Sequence, residues 1–153
     1  MASRPGVSVQ IKATVNVAPM VRWTKEVKRG SENAVRMTGL WLKGQIITSL
    51  EGGGRGQRYR RYPGGPFYRA SAPGATPARR MGFLAGSINF RYNGFVGRLM
   101  AGGPSGIVYS SSEYAPHLEY GTVHMAPRPF MRPAARKAER VLEAAMRDVV
   151  RFP

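Results

Sequence analysis

Between Gly52 and Arg80 the chain is punctuated by glycine and proline so densely that neither a regular helix nor a central strand is expected there. Ordered structure is therefore expected on its two flanks, with residues 52–80 forming a long, exposed, mobile loop. The charge of this loop is as unusual as its backbone. Arg55, Arg58, Arg60, Arg61, Arg69, Arg79 and Arg80 are interleaved with Tyr59, Tyr62, Phe67 and Tyr68, and no acidic residue lies between Glu51 and Glu113.

Three uses of such a pattern are open. An arm can order against a protein neighbour, Tyr and Arg being the residues most often found at interface hot spots. It can line a passage for DNA, or it can bind nucleic acid outright, guanidinium groups tracking phosphates while rings stack on bases. Arg55, Arg58, Tyr59, Arg60, Arg61, Tyr62, Arg69, Arg79 and Arg80 are accordingly the candidate partner or DNA contacts. The whole chain leans the same way, with 24 Lys plus Arg against 8 Asp plus Glu and a formal net charge of +16. That surface attracts polyanions: nucleic acid, an anionic membrane surface or an acidic protein.

The flanks carry clear periodicities. Val7, Val9, Ile11, Ala13, Val15 and Val17 alternate with polar residues, which puts every apolar side chain on one face of a strand over 7–17. Pro19 suits the first turn of a long helix reaching Leu50, with Trp23, Val27, Ala34, Met37 and Trp41 near helical spacing. A break in that helix would fall at Gly30–Ser31, with Ser31 capping its second part. Beyond the loop, residues 82–86 suggest a helical turn, and Ile88, Phe90 and Tyr92 alternate as a strand. Asn93–Gly94 then predicts a hairpin turn, because both residues tolerate positive φ, with Phe95 to Met100 returning as the partner strand. Gly102–Gly103–Pro104 predicts another turn, and Ile107–Val108–Tyr109 a further short strand. From Pro133 onward, Ala134, Ala138, Val141, Leu142, Ala145 and Val149 form one apolar stripe. Arg136, Glu139, Arg140, Glu143 and Arg147 cover the opposite face, with Glu143 and Arg147 in the favourable i,i+4 order.

A chain of 153 residues holds one domain with one core. The expected fold class is α+β: an antiparallel sheet of about four strands, from residues 7–17, 88–93, 95–100 and 107–110, packed on one face by the long helix and the C-terminal helix.

Catalysis lacks its parts. There is no cysteine, and the single aspartate, Asp148, sits near the end of an amphipathic helix where solvated surface is expected. His117 and His124 flank Glu119, but no spacing of the HExxH kind fixes them as ligands, and structural histidines are expected instead. No glycine-flanked nucleophile elbow occurs. Gly52 to Gln57 resembles a phosphate-cradling loop only superficially, lacking the Lys-Ser/Thr that would reach phosphate and magnesium. A non-enzymatic role is expected, with no catalytic residue, no metal and no cofactor. No apolar run approaches the roughly 18 residues of a membrane span, and the residues after Met1 alternate rather than form a secretory leader. Synthesis and assembly in a cytoplasm, without a membrane partner, are the expectation.

Blocks further along resemble one family. Ser71-Ala72-Pro73-Gly74 is followed by Pro77, Gly82, Leu84 and Ser87-Ile88; then come Tyr114-Ala115 and Leu118-Glu119-Tyr120-Gly121-Thr122; and last Ala126, Pro129-Phe130-Met131 and Pro133-Ala134. In order and spacing these blocks, across residues 71–134, resemble the tail-completion or neck proteins of long-tailed bacteriophages. The resemblance implies a virion protein at the head–tail junction: a homo-oligomeric ring, of six copies, stacked between the head-closure or connector protein and the tail terminator or tail tube protein, with phage DNA passing through its lumen. It marks Tyr114, Glu119, Gly121, Thr122, Pro129, Phe130 and Pro133 as structural residues. Tyr114 to Tyr120 suit a helical turn closed by Gly121 in a left-handed conformation. For Glu119 two uses stay open, accepting hydrogen bonds from nearby backbone N–H groups or pairing with an arginine across a subunit interface.

Overall fold

The structure, a computed structural model, describes residues 18–52, 54–60, 62–79, 81–96 and 103–151. The expected strand at 7–17 and the expected return strand beyond residue 96 lie outside the described residues.

The fold is α+β. A 34-residue helix, α1 (Ala18–Glu51), is followed by two short strands, β1 (Arg58–Arg60) and β2 (Phe67–Arg69). A single helical turn, α2 (Phe83–Gly86), leads into β3 (Ile88–Val96) and β4 (Gly103–Ser110), then α3 (Ala115–Tyr120) and α4 (Met131–Val150).

Helix α1 runs through Gly30–Ser31 without a break. Ser31 is not a cap; its hydroxyl donates to the carbonyl of Lys28 at 2.9 Å, one turn back. The glycines serve packing instead. A Cβ at Gly30 would press on Val149 of α4, and one at Gly39 would collide with the ring of Phe90 on β3. The buried side of α1 is thus made of small residues, Ser31, Ala34 and Thr38, before it turns to Ile46 and Leu50. Met37, expected on that side by its hydrophobicity, is 67% exposed, whereas Trp23, Val27 and Trp41 are half-buried.

Gly30 meets Val149 near the end of α4, while Ile46 and Leu50 meet Phe130 and Ala134 near its start, so the two helices are antiparallel. Most of the α4 stripe is turned inward, Ala134 and Ala138 being buried and Leu142, Ala145 and Val149 half-buried, whereas Val141, expected on the same stripe, is 38% exposed. Glu143 and Arg147 approach to 4.0 Å on the solvent side. The core gathers at this end of the molecule, where Ile46, Leu50, Ile88, Ala115, Phe130 and Ala134 pack with Leu84, Val108 and Leu118 around them.

Instead of one four-stranded sheet, the described residues form two separate two-stranded antiparallel sheets. Strands β3 and β4 pair from Ile88↔Ser110 to Val96↔Gly103 and lie against α1. Asn93–Gly94 is not the hairpin turn. The pairing passes from Tyr92↔Gly106 to Gly94↔Ser105, leaving Asn93 as an extra residue in a bulge, with Gly94 at φ 72°. The local signal for positive φ is satisfied, but by an irregularity inside the strand. Phe95 and Val96 therefore extend β3 rather than opening its partner, and Gly103 and Pro104 begin β4 rather than making a turn.

Much of the described part of the 52–80 stretch is exposed as expected, but Gly65, Ser71 and Pro77 are buried, and the stretch holds regular structure. Arg58, Tyr59 and Arg60 pair with Arg69, Tyr68 and Phe67, and the ladder continues outward through Ala70 N–H to the Gln57 carbonyl (3.0 Å) and Gly56 N–H to the Ala70 carbonyl (2.7 Å). Arginine's long stem and the aromatic rings suit a pleated surface, and the glycines and prolines fall between and beyond these short strands rather than inside them.

Candidate functional site

The hairpin has two unlike faces, because pairing puts register partners on the same side. Arg58, Arg60, Phe67 and Arg69 share one, and Tyr59 and Tyr68 the other. The guanidinium carbons of Arg58 and Arg60 lie 4.4 and 4.0 Å from the centre of the Phe67 ring, which is half exposed. On the reverse face Tyr59 and Tyr68 stack with centroids 5.9 Å apart. Arg58 and Arg69 are direct register partners, an arrangement that like charge disfavours. The Phe67 ring offsets part of this through its negative face. Arg55 and Tyr62 are also exposed, while Arg61 and Arg80 lie outside the described residues. Arg79 is set apart from the hairpin: it meets Glu51 at 3.4 Å, a half-exposed pair worth about 0–1 kcal/mol. An anionic surface approaching Arg58, Arg60 and Arg69 would meet guanidinium groups with ring faces behind them.

The blocks spread over residues 71–134 converge on a second locus, at the start of α4. That helix begins without a capping side chain of its own, Phe130 standing at its N-cap. Glu119, at the end of α3 and only 4% exposed, supplies the cap from outside. Its carboxylate accepts from the backbone N–H groups of Phe130 (2.8 Å), Met131 (3.0 Å) and Arg132 (3.0 Å), and from Nε of Arg132 (3.2 Å). Nη2 of Arg132 also donates to the Glu119 carbonyl at 3.2 Å, and the guanidinium lies 5.0 Å from the Tyr120 ring centre. Burial pushes the Glu119 pKa up. The N–H groups of Met131, Phe130 and Arg132, then the Arg132 side chain, outweigh it and hold the carboxyl below its ordinary value. The anion also sits at the positive end of the α4 dipole. Of the two uses the sequence left open, the carboxylate takes the first, within one subunit.

The neighbouring residues complete a buckle. Gly121 has positive φ (80°) but ψ 179°, so it is extended rather than left-handed helical, and a Cβ there would strike the Met125 carbonyl. Thr122 and Met125 exchange backbone hydrogen bonds around Val123 and His124. Arg128 N–H donates to Leu118 O at 2.7 Å, and Gly74 N–H to Pro127 O at 3.0 Å, tying the 71–74 block to the 126–130 block. Phe130 fills the core, Pro129 is half-buried beside it, and Pro133 lies in the first turn of α4. Tyr114 is exposed at the start of α3. His117 and His124 are exposed too, rather than the satisfied structural histidines expected. With Glu119 occupied by α4, no three described His, Asp or Glu side chains gather as a metal-holding group.

A third feature had no announcement in the sequence. A cleft of about 480 Å³ opens between the hairpin's exit, the run after Pro77, α2 and α3. Ser71 and Arg128 line it, and neither the Ser71 hydroxyl nor the Arg128 Nε–H has a hydrogen-bond partner among the described residues. A buried polar group left unpaired costs about 1–3 kcal/mol. Segments as far apart in the chain as Leu50, Ser71 and Arg128 build the cleft, so no local spacing could signal it.

Compared with protein-family models, curated proteins and solved structures, the chain matches none.

Proposed function

We propose that this chain is a structural, non-enzymatic subunit of a bacteriophage head–tail junction, a neck or tail-completion protein that acts by assembling into a ring around the DNA passage. The observation that carries this reading is the arginine-bearing hairpin, a cationic projection from a small α+β body with no carboxylate opposite Arg58, Arg60 and Arg69 among the described residues. Such a projection suits an acidic neighbouring ring or DNA in a lumen. Apolar side chains on the outside fit the same role. Met20, Val21, Met37 and Leu40 on α1 are half exposed or more, and Val123, at the tip of the buckle's turn, is 97% exposed. Contact with neighbouring subunits would bury them. The order and spacing of the blocks over residues 71–134 resemble those of that family, and the resemblance implies the partners: a head-closure or connector protein on one side, a tail terminator or tail tube protein on the other.

The test is electron microscopy of virions assembled with a labelled copy of the chain. Label at the head–tail junction supports the proposal; label in the capsid or at the tail tip overturns it.

One observation favours a second reading, sequence-tolerant nucleic-acid binding. Guanidinium groups on one hairpin face and stacked tyrosines on the other are the materials of a single-strand site. Tight DNA binding by the isolated subunit, weakening steeply with salt, would favour it over assembly.

A further inference from the structure

The ring reading covers the outer face of α1 and the tip of the Thr122–Met125 turn with neighbouring subunits, but it gives no use to the cleft beside α2. The cleft carries its own description of a ligand.

Its lining is apolar, with Leu50, Pro77, Leu84, Ala85 and Leu118 among the contributors. At its mouth Met81 and Phe83 are 62% and 70% exposed, although both are large apolar side chains. Its volume of about 480 Å³ is within the range of ligand clefts. Set in this apolar wall are groups that want an anion. Arg69, Arg79 and Arg128 all line the cleft; among the described residues no carboxylate does, and of the three arginines only Arg79 is seen with an acidic neighbour, Glu51. Ser71, 5% exposed, brings a hydroxyl without a protein partner, and Arg128 an Nε–H in the same condition. A ligand that satisfied both halves of the wall would carry an apolar side chain next to a carboxylate.

We propose that this cleft is a docking site for an acidic peptide segment of a partner protein, with one apolar side chain inserted against Leu84, Ala85 and Leu118 and an adjacent Asp or Glu carboxylate accepting from the Ser71 hydroxyl and the arginine guanidinium groups. Nucleic acid fits less well, since a phosphate backbone would leave the apolar wall unused and finds its arginines on the hairpin. A second copy of the chain fits less well too, because each copy brings a formal charge of +16. The proposal holds whether or not the chain belongs to a virion.

The experiment is an amide chemical-shift titration of the isotope-labelled full chain at physiological salt with three capped tetrapeptides: Asp-Leu-Phe-Asp, Lys-Leu-Phe-Lys and Asp-Ser-Ser-Asp. The first is expected to shift the amides of Ala70, Ser71, Ala85 and Leu118 and to bind about tenfold more tightly than either of the others, the loss expected when a buried contact of either kind is removed. Ala85→Trp, which fills the cleft, is expected to abolish those shifts. Ser71→Ala and Arg128→Gln are expected to weaken them several-fold, and they serve as the measure if the tryptophan variant does not fold. Equal binding of both acidic peptides, shifts confined to residues 58–69, or cleft amides that stay still at millimolar peptide would each overturn the proposal.

Discussion

Glu119 and Ser71 are buried almost equally, at 4% and 5% exposure, and they lie in segments joined by hydrogen bonds, yet their polar atoms are treated in opposite ways. The Glu119 carboxylate has four donors from one tripeptide, residues 130–132, so its charge is dispersed over a helix terminus and an arginine. The Ser71 hydroxyl has none from the described protein, and the nearby Arg128 Nε–H is equally bare. Burial alone therefore does not say what a polar group is for. A saturated group holds two elements in register, whereas a bare one beside a cleft still lacks the partner that its burial calls for.

The largest expected effect tests the saturated side. Glu119→Ala leaves the N–H groups of Phe130, Met131 and Arg132 without their acceptor at the start of α4. A lost cap and a buried unpaired donor together predict a destabilisation of about 3 kcal/mol, read from the midpoint and slope of urea unfolding. A loss below about 1 kcal/mol would mean that water replaces the carboxylate easily, and the contrast with Ser71 would fail.

The same carboxylate makes stability depend on pH with a definite sign. Its folded pKa lies below its ordinary value of 4.5, so between the two the unfolded chain binds more protons. The contribution is full above about 4.5 and is lost as pH falls through the folded value. Urea midpoints measured downward from pH 6 should fall more steeply for the native chain than for Glu119→Gln, whose amide does not titrate. Parallel curves would show that the Glu119 carboxylate is not held as the geometry indicates.

Arg132→Gln is the intermediate case. It removes the side-chain donor from the carboxylate but leaves the three backbone N–H groups in place. The side chain is 56% exposed, so water can replace it, and the expected loss is about 0.5–1.5 kcal/mol, well short of that for Glu119→Ala. Equal losses in the two variants would assign the locus to the ion pair rather than to the helix cap.

How much of this was legible in the sequence depended on distance along the chain. The extent of α4 and its buried stripe follow from a period that one helix imposes on its own residues. The extent of α1 was legible for the same reason, but its buried side was not. Met37 drew attention by its size, whereas Gly30, Gly39 and Thr38 matter because Val149 and Phe90 press against that side. Asn93–Gly94 announced a positive φ correctly. Whether that φ makes a turn or a bulge depends on where β4 pairs, which two residues cannot encode. The hairpin at 58–69 was hidden because its strands are three residues long, below any periodicity, and flanked by helix and strand breakers. Arg58, Arg60 and Arg69 could be named as contacts, but their shared face with Phe67 required the register. Glu119 as an acceptor of backbone N–H groups was accessible; that the donors come from residues 130–132 was set by the fold. The cleft at Ser71 and Arg128 is wholly non-local and left no trace in spacing.

Ser71→Ala carries the smallest expected effect on stability and the sharpest meaning. Removing a hydroxyl that bonds to nothing in the protein takes away a desolvation penalty and only one polar atom's worth of contact. Stability should stay within about 0.5 kcal/mol of the native chain or rise slightly, while affinity for an acidic apolar peptide falls. Differential scanning calorimetry beside the peptide titration separates the two quantities. A destabilisation approaching that of Glu119→Ala would show that the hydroxyl is already engaged in holding the fold, and the distinction between a saturated buckle and an available cleft would disappear.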